Sequence, residues 1–253
     1  MLALCSAGAS PGVSTLAVLL AAASSHAAVV VEADPDGGCL GARFDLVDDP
    51  GLVTLAAAAR RGADGDLLRA HGQPMSATVD VVLAPPSAQA ARSVLASSAD
   101  LLADVCRSAT DADVIVDCGR LSPTSPAWPL ATAAELIVLV TRPRLDETRR
   151  LPSRVGELRE SGVEVGVVVV GDRPYSPVEV ADAAGAELLG VLVDDPRTAA
   201  VVNGTGGTDR ALRRSPLWKS TIGLAHSLDA RAADRSVVSE EVRPELATVE
   251  GQR

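Results

Sequence analysis

Residues 2–16 read Leu2-Ala3-Leu4-Cys5-Ser6-Ala7-Gly8-Ala9-Ser10-Pro11-Gly12-Val13-Ser14-Thr15-Leu16, and the reading of this stretch decides the fold. Leu2–Cys5 is an apolar run of strand length, Ser6–Val13 is a Gly/Ser/Pro turn, and Ser14–Ser25 is an Ala/Leu-rich run of helix length. A strand passing through a tight turn into a helix is the opening half of a βαβ unit. The helix start in such a turn carries unpaired N–H groups and the positive end of the helix dipole, so it can hold an anion. A plain strand-to-helix turn with Ser14 as the helix cap would read the same way if the segment stood alone.

Outward from this turn the alternation repeats. Val29–Glu32 reads as a strand running into the acidic turn Asp34-Pro35-Asp36-Gly37-Gly38, and Leu52–Arg61 as a helix. Val79–Ala84 is a strand closed by Pro85-Pro86, and Ser87–Ser108 a long amphipathic helix. Asp113–Asp117 is a strand followed by a Gly/Ser/Pro loop through Pro129. Then come a strand at Leu136–Thr141, a helix at Asp146–Ser161, a strand at Val163–Val170 and a helix at Pro177–Ala184. A strand at Leu188–Val193 and a helix at Ser215–Ala230 complete the series. Strands alternating with helices in this way predict an α/β fold: a mainly parallel central sheet with helices on both faces. Residues 1–230 are expected to form one domain, and 231–253, polar, charged and aperiodic, a disordered tail.

Composition narrows the chemistry. The 253-residue chain is 47% hydrophobic but only 2% aromatic, so its core must be built from Ala, Val and Leu. A net charge of −10 argues against general nucleic-acid binding, which needs a basic face. The apolar run Thr15–Ala23 is too short to span a bilayer, and the chain opens on a strand without a basic leader, so neither membrane insertion nor secretion is expected. Cys5, Cys39, Cys106 and Cys118 lack metal-ligand or disulfide-framework spacing and fit reduced thiols in a cytoplasmic protein. Lys219 is the only lysine among 23 basic residues. No chemistry here can use a lysine from the first 218 positions.

Three segments could carry function. A phosphate loop reads G-x-x-x-x-G-K-[ST]; Gly8 and Thr15 fall in register, with Val13 at the second glycine and Ser14 at the lysine. Glu32-Ala33-Asp34-Pro35-Asp36-Gly37-Gly38 places carboxylates at the C-terminal end of a strand, where open α/β sheets bind ligands. Asp117-Cys118-Gly119 follows the buried run Val114-Ile115-Val116, a position suited to hold a metal-bound water or sense a terminal phosphate. Each alone has an ordinary structural explanation. Together, in this order, they resemble the MinD/ParA class of phosphate-loop ATPases, which includes the CpaE/TadZ proteins of pilus assembly. The similarity continues through Val138–Arg144, Val167–Asp172 and Leu189–Pro196 and covers residues 1–230.

The resemblance implies a set of roles. Gly8, Ala9, Ser10, Pro11, Gly12, Val13, Ser14 and Thr15 would form the nucleotide-binding loop, with ATP or ADP and Mg²⁺ as the cofactors. Asp34, Asp36, Asp117 and Gly119 would form the two switches. Asp34 would orient the attacking water in an active enzyme, and Thr15 and Asp117 would face the metal. The loop departs from the family pattern K-G-G-x-G-K-[ST], with Ala9 and Ser14 at the two lysines and Val13 at the glycine between. Loss of the cationic clamp implies little or no ATP turnover, and Val13 puts a Cβ where a glycine would permit φ > 0. The expected protein is a pseudo-ATPase acting in localisation, partitioning or assembly, in pilus or secretion machinery, as a homodimer or with a protein partner.

Two other readings stay open. A slow but working ATPase could use Arg43 or another arginine for the missing charge. A dinucleotide-binding oxidoreductase could use Glu32 for a ribose, although the turn is not G-x-G-x-x-G. Arg142, Arg144, Arg149, Arg150 and Arg154 form one basic cluster, and Arg210, Arg213, Arg214 and Lys219 another. Such clusters serve nonspecific DNA contact in ParA-like proteins, but the first reads more simply as a solvated helix face paired with Asp146, Glu147 and Glu157. His26, His71 and His226 have no Ser or Cys partner in a recognisable arrangement, so nucleophilic catalysis is not expected.

Overall fold

Unbroken Val/Ile/Leu runs can be satisfied only where both faces of a sheet are covered. The computed structural model, which describes residues 1–9 and 11–241, covers them on both sides. In chain order its first half runs β1 (Leu2–Ser6), α1 (Val13–Ala23), β2 (Ala28–Glu32), α2 (Leu40–Phe44), α3 (Leu52–Ala59), α4 (Asp66–His71), β3 (Gln73–Pro74), β4 (Val79–Val82), α5 (Ala88–Ser108) and β5 (Asp113–Arg120). The second half runs α6 (Trp128–Thr132), β6 (Leu136–Thr141), α7 (Leu145–Thr148), α8 (Leu151–Glu160), β7 (Glu164–Val170), α9 (Pro177–Ala184), β8 (Glu187–Leu192), α10 (Pro196–Val202), α11 (Asp209–Arg214) and α12 (Pro216–Glu241). The sheet has eight strands in the order β3-β4-β2-β5-β1-β6-β7-β8. Every pairing is parallel except that of β3 with β4.

The alternation of side chains along each strand sorts the core into two layers. Ala3, Cys5, Val29, Val31, Val116 and Ile137 pack beneath α3, α5, α6, α8 and α9. Leu4, Val30, Ile115 and Val138 pack beneath α1 and α10–α12. Each fully buried leucine in these layers contributes roughly 1.5–3 kcal/mol by leaving water. Small residues let the layers close: a Cβ on Gly190 of β8 would lie 2.9 Å from Cδ1 of Leu224 in α12.

Two boundaries differ most from the sequence reading. The expected helix Asp146–Ser161 is broken into α7 and α8, because Pro152 sits in the first turn of α8, where its missing N–H costs nothing. The last helix does not stop at Ala230. Residues 231–241, expected as tail, continue α12, and Arg231 forms ion pairs with Glu164 and Glu187 on β7 and β8. The rest of the expected tail, 242–253, lies outside the described residues.

The order of the central strands positions the site. β1 lies between β5 and β6, so successive connections leave it in opposite directions and open a crevice at its C-terminal end. Ligands of open α/β sheets bind at such a switch point.

Candidate functional site

The crevice is a cleft of about 510 Å³, within the roughly 300–1,000 Å³ range of small-molecule sites. The ends of six strands and the loops after them reach it: Ala9 and Pro11–Thr15 after β1, Asp34, Asp36 and Gly37 after β2, Gly119 and Arg120 at the end of β5, Arg142 after β6, Val170 at the end of β7, and Asp194–Pro196 after β8.

The first loop is anchored at its base, where Ser6 Oγ donates to the Ala9 carbonyl at 2.9 Å and the Leu121 amide donates to Ser6 O at 3.0 Å. Gly12 then turns the chain with φ 102° into the N-cap of α1, and no side chain caps that helix start. Only glycine adopts this conformation readily. The first amides of α1 are thus left without intrahelical partners and face the cleft. The expectation that position 13 needs the positive φ is corrected here. Val13 is the first helical residue and is buried in the core on the α1 side. Gly8 does not line the cleft: it is buried, with its α-carbon face covered by the Arg150 side chain, whose Cδ lies 3.0 Å from where a Cβ would be. Ala9, Pro11, Gly12, Val13, Ser14 and Thr15 do line it. Ser10 lies outside the described residues. Thr15 Oγ1 donates to Asn203 Oδ1 at 3.1 Å, tying the helix start to the end of α10.

The two acidic switches meet behind this loop. Glu32 and Asp117 are register partners across β2 and β5, and the Ala33 amide donates to Asp117 O at 2.8 Å. Asp34 lines the cleft, and its Oδ1 accepts the Asp36 amide at 2.8 Å. Gly119, with φ 56°, lies so near that a Cβ there would be 2.0 Å from Asp34 Oδ2. Only a glycine lets the second switch close on the first. Burial raises the Asp34 carboxyl to about 6, with the charges of Asp117 and Asp36 adding and the Asp36 amide and Arg120 opposing. Asp36 is exposed at the rim and pairs with Arg92 at 2.5 Å.

Asp117 is only 1% exposed. Its Oδ1 accepts the Gly119 amide at 3.0 Å, and its Oδ2 is buried with no partner at hydrogen-bond distance among the described residues. Burial raises this carboxyl to about 6 as well, pulled part of the way back by the Ser14 hydroxyl and the Gly119 amide. Ser14, rather than Thr15, is therefore the loop hydroxyl that acts on the second-switch aspartate. Glu32 has the opposite surroundings. It is 2% exposed, its Oε1 accepts the Cys39 and Leu40 amides at 2.8 and 2.9 Å, and its Oε2 accepts the Ala84 amide at 3.2 Å. Its bonds are spent on the backbone, so it offers nothing to a ribose.

The arginines are also rearranged relative to expectation. The cluster 142–154 is not a uniformly solvated face: Arg142 lines the cleft, Arg150 covers Gly8, and Arg154 donates to the Leu121 carbonyl while pairing with Glu157. Arg43 and Arg120 line the cleft too. In the second cluster Arg213 pairs with Asp209 and lies 5.5 Å from the Trp218 ring. Sequence reasoning passed over Arg120 and Asn203. For Asn203 no signal was available, since its partner is 188 residues away.

No family model matches the chain, and no curated protein does. Solved structures do. A ParA family ATPase from Chlorobium tepidum TLS superposes with a TM-score of 0.74 at 17% identity, over 88% of this chain and 97% of that one. The chain has the MinD/ParA phosphate-loop fold. The septum site-determining protein MinD from Pyrococcus horikoshii OT3, complexed with Mg-ADP, gives a TM-score of 0.73 at 17% identity, over 92% and 97% of the two chains. A MinC:MinD cell division complex from Aquifex aeolicus gives 0.66 at 11% identity, over 100% and 98%. As expected for a MinD/ParA fold, the cleft described above lies at the C-terminal ends of the parallel strands. No helix among the described residues is long and apolar enough to cross a membrane.

Proposed function

We propose that the chain binds a magnesium nucleotide in this cleft, hydrolyses it weakly or not at all, and acts as a localisation, partitioning or assembly factor through a protein partner or a second copy of itself. The observation that carries the reading is the combination of an uncapped helix start and the first-switch Asp34 lining one cleft, the second-switch Asp117 buried behind it, and a loop without lysine. The residues suit the cofactor: Asp117 Oδ2 is buried with no partner at hydrogen-bond distance among the described residues, and the Ser14 hydroxyl acts on the same carboxyl. Magnesium is commonly held by one or two carboxylates, water and the substrate's phosphates. When bound, it would neutralise phosphate charge.

The helix-opening glycine is Gly12, so the order G-K-[ST] counted from it sets Val13 at the lysine and Ser14 at the metal hydroxyl. Counted from Gly8, the lysine position is Ser14. Neither register supplies a cation, and Val13 cannot be spared from the core. Asp34 can still accept a proton from, and orient, a water at the cleft. Without loop cations to stabilise the charge that builds on a transferring phosphoryl group, that water attacks slowly. A nucleotide that stays bound would hold the switches in one arrangement, which a pilus, secretion or partition partner could read.

Titrating the purified protein with Mg-ATP and with NAD, and measuring phosphate release alongside, tests this reading. Saturable binding of Mg-ATP with negligible release supports it. Binding of NAD in preference to Mg-ATP would replace it with the dinucleotide reading, and rapid release abolished by Asp34→Ala would make the protein a working ATPase.

A further inference from the structure

A phosphate site with no lysine needs another cation, and the fold supplies one from outside the loop. We propose that Arg43 is the phosphate-binding cation of this cleft, reaching in from α2 to the terminal phosphates of the nucleotide. The inference rests on the nucleotide reading above and names the cation of that site.

Four arginines stand in or against the cleft, and they differ. Arg150 is laid over Gly8, behind the loop. Arg120 is exposed at the end of β5. Arg142 lines the opposite wall, where its amide donates to Glu147. Arg43 alone of these has a terminal guanidinium nitrogen, Nη1, that is buried without a hydrogen-bond partner among the described residues. An unpaired buried guanidinium nitrogen is costly, since a charged donor taken out of water must be repaid by an acceptor. No acceptor among the described residues takes that role, and the cleft it lines is where an anion would sit.

The placement follows from the chain. Glu32 takes the Cys39 and Leu40 amides and so fixes the start of α2 directly after the first switch. Cys39 and Arg43, four residues apart, then share one face of that turn, and both line the cleft. The turn after α10 backs the other side. A Cβ on Gly204 would lie 2.6 Å from the Arg43 carbonyl oxygen, and the neighbouring Asn203 holds Thr15 of the loop. The same short segment thus locks the loop and the arginine at a fixed separation. Arg43 also acts electrostatically on Glu32, Cys39 and Asp117, so its charge already reaches both switches. A guanidinium suits the task because its planar fork can meet two phosphate oxygens at once.

The test is calorimetric titration of the full chain with Mg-ATP and Mg-ADP for wild type, Arg43→Ala, Arg43→Lys, Arg43→Gln and Arg107→Ala, each checked for its melting temperature. Arg107 pairs with Asp104 on α5, away from the cleft. The expected result is a loss of affinity of about tenfold or more for Arg43→Ala and Arg43→Gln, a smaller loss for Arg43→Lys, and none for Arg107→Ala. Should Arg43→Ala fail to fold, the difference between the lysine and glutamine variants decides. Wild-type binding that Arg43→Ala and Arg43→Gln leave unchanged overturns the assignment to Arg43 and leaves the nucleotide site standing. Absence of wild-type binding to either nucleotide overturns both.

Discussion

Glu32 and Asp117 sit opposite each other on neighbouring strands, equally buried, yet one carboxylate is saturated and the other is not. Glu32 accepts three backbone amides and joins β2, α2 and the end of β4. Asp117 accepts one backbone amide, feels the Ser14 hydroxyl, and keeps a buried oxygen with no partner at hydrogen-bond distance among the described residues. Burial raises both carboxyls above their ordinary values. The difference separates a residue that holds the fold together from one whose carboxylate is left partly unsatisfied, at a cost in stability, and which the proposed metal would meet.

The largest effect should come from the saturated member. Glu32→Ala strands three amides and unhooks α2, so it should destabilise the protein by about 3 kcal/mol or more, read by urea denaturation. A change below about 1 kcal/mol would mean that the three bonds do not anchor the switch.

Asp117→Asn should act in the opposite direction. The folded carboxyl titrates near 6 rather than at its ordinary value, so the native state binds the extra proton and wild-type stability falls as pH rises through about 4 to 6. The asparagine variant should therefore melt higher than wild type at pH 8, by an amount on the order of 1–3 kcal/mol, and no higher below pH 4. Thermal melts across that range check this, and equal slopes for the two proteins would show that Asp117 is not strained. The same change should weaken Mg-nucleotide binding, so the variant trades function for stability.

This contrast was only half legible in the sequence. The apolar runs and the two acidic turns marked the strands, the sheet and the position of both carboxylates, because parallel strands bury continuous runs and end at loops. Which acid is saturated was hidden, since the donors to Glu32 come from Cys39, Leu40 and, 52 residues away, Ala84. The five-residue α2 has no periodicity to reveal it, so Arg43 could be named only as one arginine among several. The left-handed residue was expected at position 13 because a consensus was counted from Gly8. The structure puts it at Gly12, where the turn runs into the helix. For a charged probe at the rim, an arginine at Gly12 would strain the backbone, whereas Ala9 is exposed and lines the cleft.

Smaller effects belong to the periphery. Truncation after Ala230 removes Arg231 and its pairs with Glu164 and Glu187. These are partly exposed, so the loss should be about 1 kcal/mol, a fall in melting temperature of roughly 2–4 °C. No shift would mean that the end of α12 is dispensable. Ala9→Arg should leave the melting temperature unchanged and reduce any nucleotide-dependent self-association seen by light scattering. Association that persists unaltered would place the contact surface elsewhere.

The most direct test of the account follows Mg-ATP binding and phosphate release on one sample of the wild-type protein. The account predicts saturable binding with release indistinguishable from buffer over many occupancy lifetimes, because the cleft retains its amides, switches and Arg43 but no loop lysine. Sustained turnover that Asp34→Ala abolishes would contradict it.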